Sequence, residues 1–340
     1  MPVAQQEQTL TAQENTLAVA MLHRIGDATI RYAMDADSES DQVAPMLTGG
    51  DFHELVGNFV SDPVESLGWA RDALFAISKD ESLPEQARAS RLSEFLDAYF
   101  DLTIKLDQAA FSDDEPGAYH ERVPSYIPDG FVDMGRDARH DPAVRDREQI
   151  WVDKREILEK YKPLLTRIFQ HDYSNLSEGD RPLNMSYSIA KEVYQSIPLP
   201  ENVQDGDLGL GGGKIKLSEI EEAVCRHRAL IFQVLGQAIG LDSRVIKGPR
   251  MTASSVENHA ANMVRSGDKW YLVDVSNPYM TYGAQGQEIF LPAAYELEGG
   301  PLARAEARRL SFTRSTWGEV PKVRYIARDD MYWHVEHHER

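Results

Sequence analysis

The chain has a single cysteine, Cys225, in 340 residues, so no disulfide can form within it and its stability cannot rest on one. That usage suits a reducing compartment. Basic side chains are also scarce: 36 Lys and Arg face 55 Asp and Glu, a formal charge of −19 that repels phosphate backbones and anionic lipid. Nucleic acid is therefore not an expected partner. No stretch approaches the roughly 20 apolar residues of a membrane helix, and the amino-terminal run MPVAQQEQTLTAQENTL has neither the basic nor the apolar region of a secretory signal. The expectation is a soluble, cytoplasmic protein without a membrane partner, with signal-independent export left open. Repeats of fixed period and low-complexity tracts are also absent, which excludes solenoid and collagen-like architectures.

With 42% apolar residues, the chain can bury a full core. Residues 1–111 read as an α-helical region. Leu10, Leu17, Met21, Ile25 and Ile30 recur at helical intervals, Asp62-Pro63 suits a helix start, and Leu96, Ala98, Tyr99, Leu102 and Ile104 fall within a second periodic stretch. From 112 to 147, Asp, Pro, Gly and Arg dominate and predict a linker or long loop. Residues 148–326 alternate between patterns, with helices predicted at 150–169, 187–197 and 224–241 and strands at about 243–247, 256–264 and 269–275. The helix over 224–241 carries a wide apolar stripe, implying burial, and should end near Gly240. Residues 327–340 read as a polar tail.

The last two strands form a hairpin about the turn Arg265-Ser266-Gly267-Asp268. With Ser266-Gly267 at its centre, His259 stands directly opposite Asp274, on one face with Ala261, Met263, Trp270 and Leu272. Opposed β-carbons lie roughly 4.5–5.5 Å apart, near enough for the carboxylate to fix the imidazole tautomer. A thiol titrating near ~8.5 is mostly protonated at neutral pH, and a neighbouring imidazolium depresses it. Cys225 supplies the thiol, with Arg226 and Arg228 adding positive charge beside it. If its helix begins there, its own N–H could face an oxyanion.

The run VCRHRALIFQVLGQAIGLDSRVIKG, followed by NHAANMV and KWYLVDVSNP, resembles the cysteine, histidine and aspartate blocks of the transglutaminase-like (papain-like) superfamily. It is most similar to the amino-terminal domain of the plant enhanced-disease-resistance kinases. The resemblance implies an α+β fold in which a buried Cys-bearing helix packs on an antiparallel sheet, with 148–326 as the transglutaminase-like domain. It also implies Cys225 as nucleophile, His259 as base and Asp274 as orienting carboxylate. The expected activity is cysteine-dependent acyl transfer on amide bonds or glutamine side chains, with a protein or peptide substrate and no cofactor or metal.

Other readings compete. A lone cysteine is usually a small buried hydrophobe, and the same fold could serve as a catalytically silent binding module, or residues 1–110 as a helical adaptor. His227 is a rival base but points to another helix face. Asn184, Tyr187 and Gln204 are candidates for an oxyanion side chain among which the sequence does not choose. The glycine-rich stretch before Lys214 lacks phosphate-loop spacing because Ile215 follows the lysine. His334 and His338 have a helix-compatible metal spacing within the polar tail. Ser218-Glu219-Ile220-Glu221 resembles a capping box, which would place Cys225 two turns inside a helix, so a catalytic reading requires a break between about 219 and 224.

Overall fold

The computed structural model describes residues 58–59, 61–111, 126–133, 149–199, 214–251, 256–282, 288–297, 307–309 and 324–325. The helical pattern of Leu10 to Ile30, almost all of the glycine-rich stretch, Gln204 and the histidines of the tail lie outside them. The chain divides into two compact units, Met1–Val123 with Leu158–Asp172, and Pro124–Ile157 with Tyr173–Arg340.

In the first unit, α1 (Gly68–Lys79) packs against α2 (Glu85–Phe111) and against α4 (Lys162–Gln170). Leu74 and Ile77 of α1, Phe95, Leu96 and Tyr99 of α2, and Leu165 and Phe169 of α4 are buried. The Phe75 and Phe169 rings meet edge to face, centroids 4.8 Å apart. The Ser78 hydroxyl donates to the Phe169 carbonyl at 2.7 Å, and Lys162 pairs with Asp97. The helix expected over 150–169 is two helices, α3 (Lys154–Lys160) and α4, because Pro163 has no N–H for the preceding turn and instead fits the start of a new helix.

The second unit is α+β. Strands β1 (Val132–Asp133), β2 (Gln149–Trp151) and β3 (Lys214–Lys216) form a small sheet. Within the stretch 112–147, the described residues 126–133 include buried Tyr126, Ile127 and Phe131 as well as β1. The larger sheet is antiparallel, in the order β8-β7-β6-β5-β4-β9. Its strands are β4 (Ser243–Met251), β5 (Val256–Ser266), β6 (Lys269–Tyr282), β7 (Glu288–Leu297), β8 (Ala307–Arg309) and β9 (Arg324–Tyr325). Helices α5 (Arg181–Ser196) and α6 (Cys225–Ala238) pack on it and on each other.

Helix α6 is buried from Arg226 through Ala238, and Ala260 to Val264 of β5 are buried without alternation. Continuous burial is what a central helix and a strand covered on both faces require. At its end Gly240 takes φ 81°, its N–H reaches the Gln237 carbonyl at 3.1 Å and that of Leu241 the Gly236 carbonyl at 2.8 Å. This is the Schellman arrangement, and it needs a left-handed residue where glycine stands. Among the described residues no helix is long and apolar enough to cross a membrane.

Candidate active site

Helix α6 does not start at the apparent capping box. Leu217–Glu219 form one 3-10 turn and Ile220 is extended. The Ser218 side chain is engaged elsewhere: its hydroxyl contacts the Asp153 carboxylate and lies 3.0 Å from Glu156 Oε2, while its N–H donates to Asp153 Oδ1 at 3.0 Å. The break needed between 219 and 224 is therefore present, and the helix opens at Cys225 after Val224, which is extended at φ −89°, ψ 178°. His227 closes the first turn by accepting the Val224 N–H on Nδ1 at 3.2 Å. It is fully buried in that capping role. As the first helical residue, Cys225 has an N–H outside the i→i−4 ladder and sits at the positive end of the helix.

The hairpin register differs from the expected one. Ser266 pairs with Lys269, so Gly267-Asp268 occupy the turn centre rather than Ser266-Gly267. Gly267 adopts φ +63°, a conformation that glycine accepts at little cost and that favours placing it first in the turn. The shift moves the partner of every β5 residue by two positions, and His259 and Asp274 are consequently not directly opposed. An even shift preserves the alternation of faces, so both side chains still project to the same side. They meet diagonally, with His259 Nε2 at 3.0 Å from Asp274 Oδ1 and 3.1 Å from Oδ2.

The sheet opens where they meet. The β5–β6 ladder ends at Asn262↔Val273, and the β6–β7 ladder is interrupted between Asp274 and Tyr279. This β6 bulge folds around the Asp274 carboxylate, whose Oδ1 accepts the N–H groups of Ser276 at 3.0 Å and Asn277 at 3.2 Å. Counting from the turn, Ser266/Lys269, Val264/Tyr271 and Asn262/Val273 are the pairs that exchange both backbone bonds. Ala260 would be next, but the ladder has ended, and its N–H is free to hydrogen-bond to the Cys225 sulfur instead.

Cys225 is partly exposed, whereas His259 and Asp274 are buried. Burial alone would push the thiol up, but the His259 hydrogen bond and charge, together with the Ala260 N–H, bring it below the ordinary thiol value. Burial likewise disfavours the imidazolium. The charge and hydrogen bond of Asp274, followed by the hydrogen bond and charge of Cys225, outweigh it and push His259 up to about 10. Both directions favour the same charge distribution, negative on the sulfur and positive on the imidazole, with the Asp274 carboxylate behind the ring. With Nε2 facing Asp274, Nδ1 is the ring nitrogen left for the sulfur.

The arginines next to Cys225 act otherwise than expected. Both are buried; Arg228 donates to the Ile197 carbonyl at 2.5 Å and lies over the Tyr194 ring, 4.7 Å from its centroid, so it ties α6 to the end of α5. The charge that lowers the thiol is that of His259, opposed by the weaker effect of the Asp274 charge. Helix α5 starts near the hairpin turn, where the Ser266 hydroxyl donates to the Gly179 carbonyl. It ends near Cys225, where the Pro198 carbonyl accepts the Ala223 N–H at 2.9 Å. Asn184 and Tyr187 therefore lie toward the turn rather than at the thiol. The Tyr187 hydroxyl is raised by burial and by Tyr271.

One residue missed in the sequence is Asn277, whose Nδ2 lies 3.1 Å from Asp274 Oδ2 and 3.2 Å from His259 Nε2. The Ser-Asn-Pro that ends the strand run was the available signal, since such a cluster marks a turn. Among the described residues no group of three or more His, Cys, Asp or Glu could hold a metal ion.

Comparison with known proteins gives a partial relative and a family match. Over 67 residues, 19% of the chain, it is 36% identical to the probable serine/threonine-protein kinase SIS8 of Arabidopsis thaliana. The aligned part is 6% of that protein, so the chain corresponds to a small fraction of the kinase's length. Residues 201–278, which contain Cys225, His259 and Asp274, match the family model described as EDR1/CTR1/ARMC3, peptidase-like.

Proposed function

We propose that the second unit holds a transglutaminase/papain-like core and acts as a cysteine-dependent acyl-transfer enzyme on amide bonds or glutamine side chains of a protein or peptide. Cys225 is the nucleophile, His259 the acid and base, and Asp274 the group that orients the imidazole. The reading rests on one observation above the others. A partly exposed thiol at the first residue of a buried helix hydrogen-bonds to a histidine whose far nitrogen is 3.0 Å from a buried carboxylate.

In this mechanism the Cys225 sulfur bonds to the amide carbonyl carbon, and the developing oxyanion faces the Cys225 N–H at the helix start. The C–N bond then breaks as His259 gives its Nδ1 proton to the departing amine, leaving a thioester. Water or an amine next adds to the thioester, His259 takes its proton, and the C–S bond breaks to restore the thiolate. Asp274 keeps Nε2 protonated throughout, so the proton that moves is always the one on the sulfur side.

The test is intact-mass measurement of the full chain after incubation with activated acyl esters and with glutamine-containing peptides. An acyl adduct is expected on the wild type, none on Cys225→Ala, and slower accumulation on His259→Ala. Equal adduct on Cys225→Ala, or turnover unchanged by that substitution, contradicts the mechanism.

A further inference from the structure

From the hydrogen bonds around Asp274, we infer that Asn277 is a positioning residue for the Cys225–His259 pair, acting through the Asp274 carboxylate; this rests on the functional reading above. Among the described residues, four donors surround the carboxylate in the bonds that follow. The Ser276 and Asn277 N–H groups reach Oδ1 at 3.0 and 3.2 Å, the Asn277 amide reaches Oδ2 at 3.1 Å and Oδ1 at 3.4 Å, and His259 Nε2 approaches both oxygens. The two backbone donors would survive any substitution that preserves the bulge. The side-chain amide is the only one of the three supporting donors that residue type controls.

Its place explains what it does. Asn277 Nδ2 lies 3.2 Å from His259 Nε2, with both nitrogens directed at the same carboxylate. When Nε2 carries its proton, the amide and the ring are parallel donors sharing one acceptor, and Asp274 cannot swing away from the ring without breaking both bonds. Hydrogen bonds to the charged form hold a carboxylate ionised, so Asn277 also keeps Asp274 from taking the Nε2 proton. Without the amide, Asp274 would retain its two backbone donors on Oδ1 but lose the restraint on Oδ2. The imidazolium would be held less firmly, and the thiolate with it. Asn277 is only partly buried, at the mouth of the bulge rather than in the core, so a smaller side chain leaves no cavity there.

The test is the rate of Cys225 alkylation by iodoacetamide as a function of pH in the full-length wild type, Asn277→Ala, Asp274→Ala and the double variant. Wild type should react well at neutral pH. Asn277→Ala should react about fivefold more slowly there, less than the full worth of a hydrogen bond to a charged group because the amide acts on the thiol only through Asp274 and His259, with its profile moved toward that of a free thiol. In the Asp274→Ala background the same substitution should have no further effect, because the residue works only through that carboxylate. A merely space-filling role would lower thermal stability and leave the profile in place. Asn277→Ser, which retains a turn-compatible residue but is too short to reach Oδ2, should move the profile as alanine does, and it stands in if the alanine variant fails to fold. An Asn277 variant whose profile superimposes on wild type, or an effect that persists in full without Asp274, overturns the inference. A wild-type profile already like a free thiol instead overturns the catalytic pairing on which it rests.

Discussion

The two units solve the problem of buried polar groups differently. In the helical unit, buried polar side chains bond to backbone carbonyls: the Ser78 hydroxyl to that of Phe169, Thr103 to that of Tyr99 and Arg71 to that of Val64. The α/β unit also has such ties, for example the Gln233 amide on the Ser243 carbonyl at 2.7 Å. At the opening between β5 and β6, however, it buries a histidine and an aspartate that face each other and sets beside them a cysteine that is only partly buried. A buried ion pair is weak support for stability, since desolvation consumes most of the attraction. An arrangement that is costly to fold and placed beside the one cysteine is what the proposed thiol chemistry requires.

Substitutions separate these two designs. The largest effect falls on the thiol chemistry. Cys225→Ala should abolish alkylation altogether, and His259→Ala should slow it at neutral pH by about 30-fold, the factor between a full thiolate and a thiol titrating near ~8.5. Next, Asp274→Ala leaves His259 buried without its carboxylate and orphans the donors of the bulge. A loss of about 3–5 kcal/mol in folding stability is expected, read by denaturant unfolding, together with a thiol profile moved toward that of a free cysteine.

In the helical unit the pattern reverses. Phe169→Ala should cost about 3–5 kcal/mol through the cavity it leaves, read as faster amide hydrogen exchange in α1, α2 and α4, with the Cys225 alkylation rate unchanged. Ser78→Ala should cost only about 1 kcal/mol, the worth of one neutral hydrogen bond. A substitution in one unit that altered both readouts equally would blur the distinction between them.

The pairing also has a sign in pH. His259 is raised from 6.5 to about 10, so the folded state holds its proton more tightly than the unfolded chain does. The resulting stabilisation is complete below about 6.5 and is lost as pH rises through about 10. Cys225 is lowered, so its contribution is present above the ordinary thiol value and is lost as pH falls through the depressed one. Unfolding curves of wild type and His259→Ala should therefore converge as pH rises from neutrality through about 10.

Parts of this arrangement were legible in the sequence, and each miss has a specific physical cause. The apolar stripe ending at Gly240 marked the buried helix because glycine is the residue that a left-handed cap needs. The hairpin was readable as a hairpin, but its register depended on which two residues of Arg265-Ser266-Gly267-Asp268 form the centre. The positive φ of Gly267 favoured the alternative not expected. The two side chains still met because the error was even, and alternation along a strand is insensitive to an even shift. The helix start was legible against a competing signal: the cap-like pattern at Ser218 is overridden by Asp153, far away in the chain, and the helix opens at Cys225 as expected. Asn277 was missed because the Ser-Asn-Pro cluster marks a turn but not the interruption of β6 and β7 pairing that brings Asn277 back onto Asp274.

The central claim is that Cys225 rests as a thiolate paired with the His259 imidazolium. Because the chain has one cysteine, the far-ultraviolet thiolate absorbance of wild type minus Cys225→Ala titrates that group alone. The account predicts a thiolate signal already present at neutral pH and lost only on acidification, with the midpoint moved sharply upward in His259→Ala. A signal that is absent at neutral pH and appears only above about 8.5, as for an isolated thiol, would contradict it.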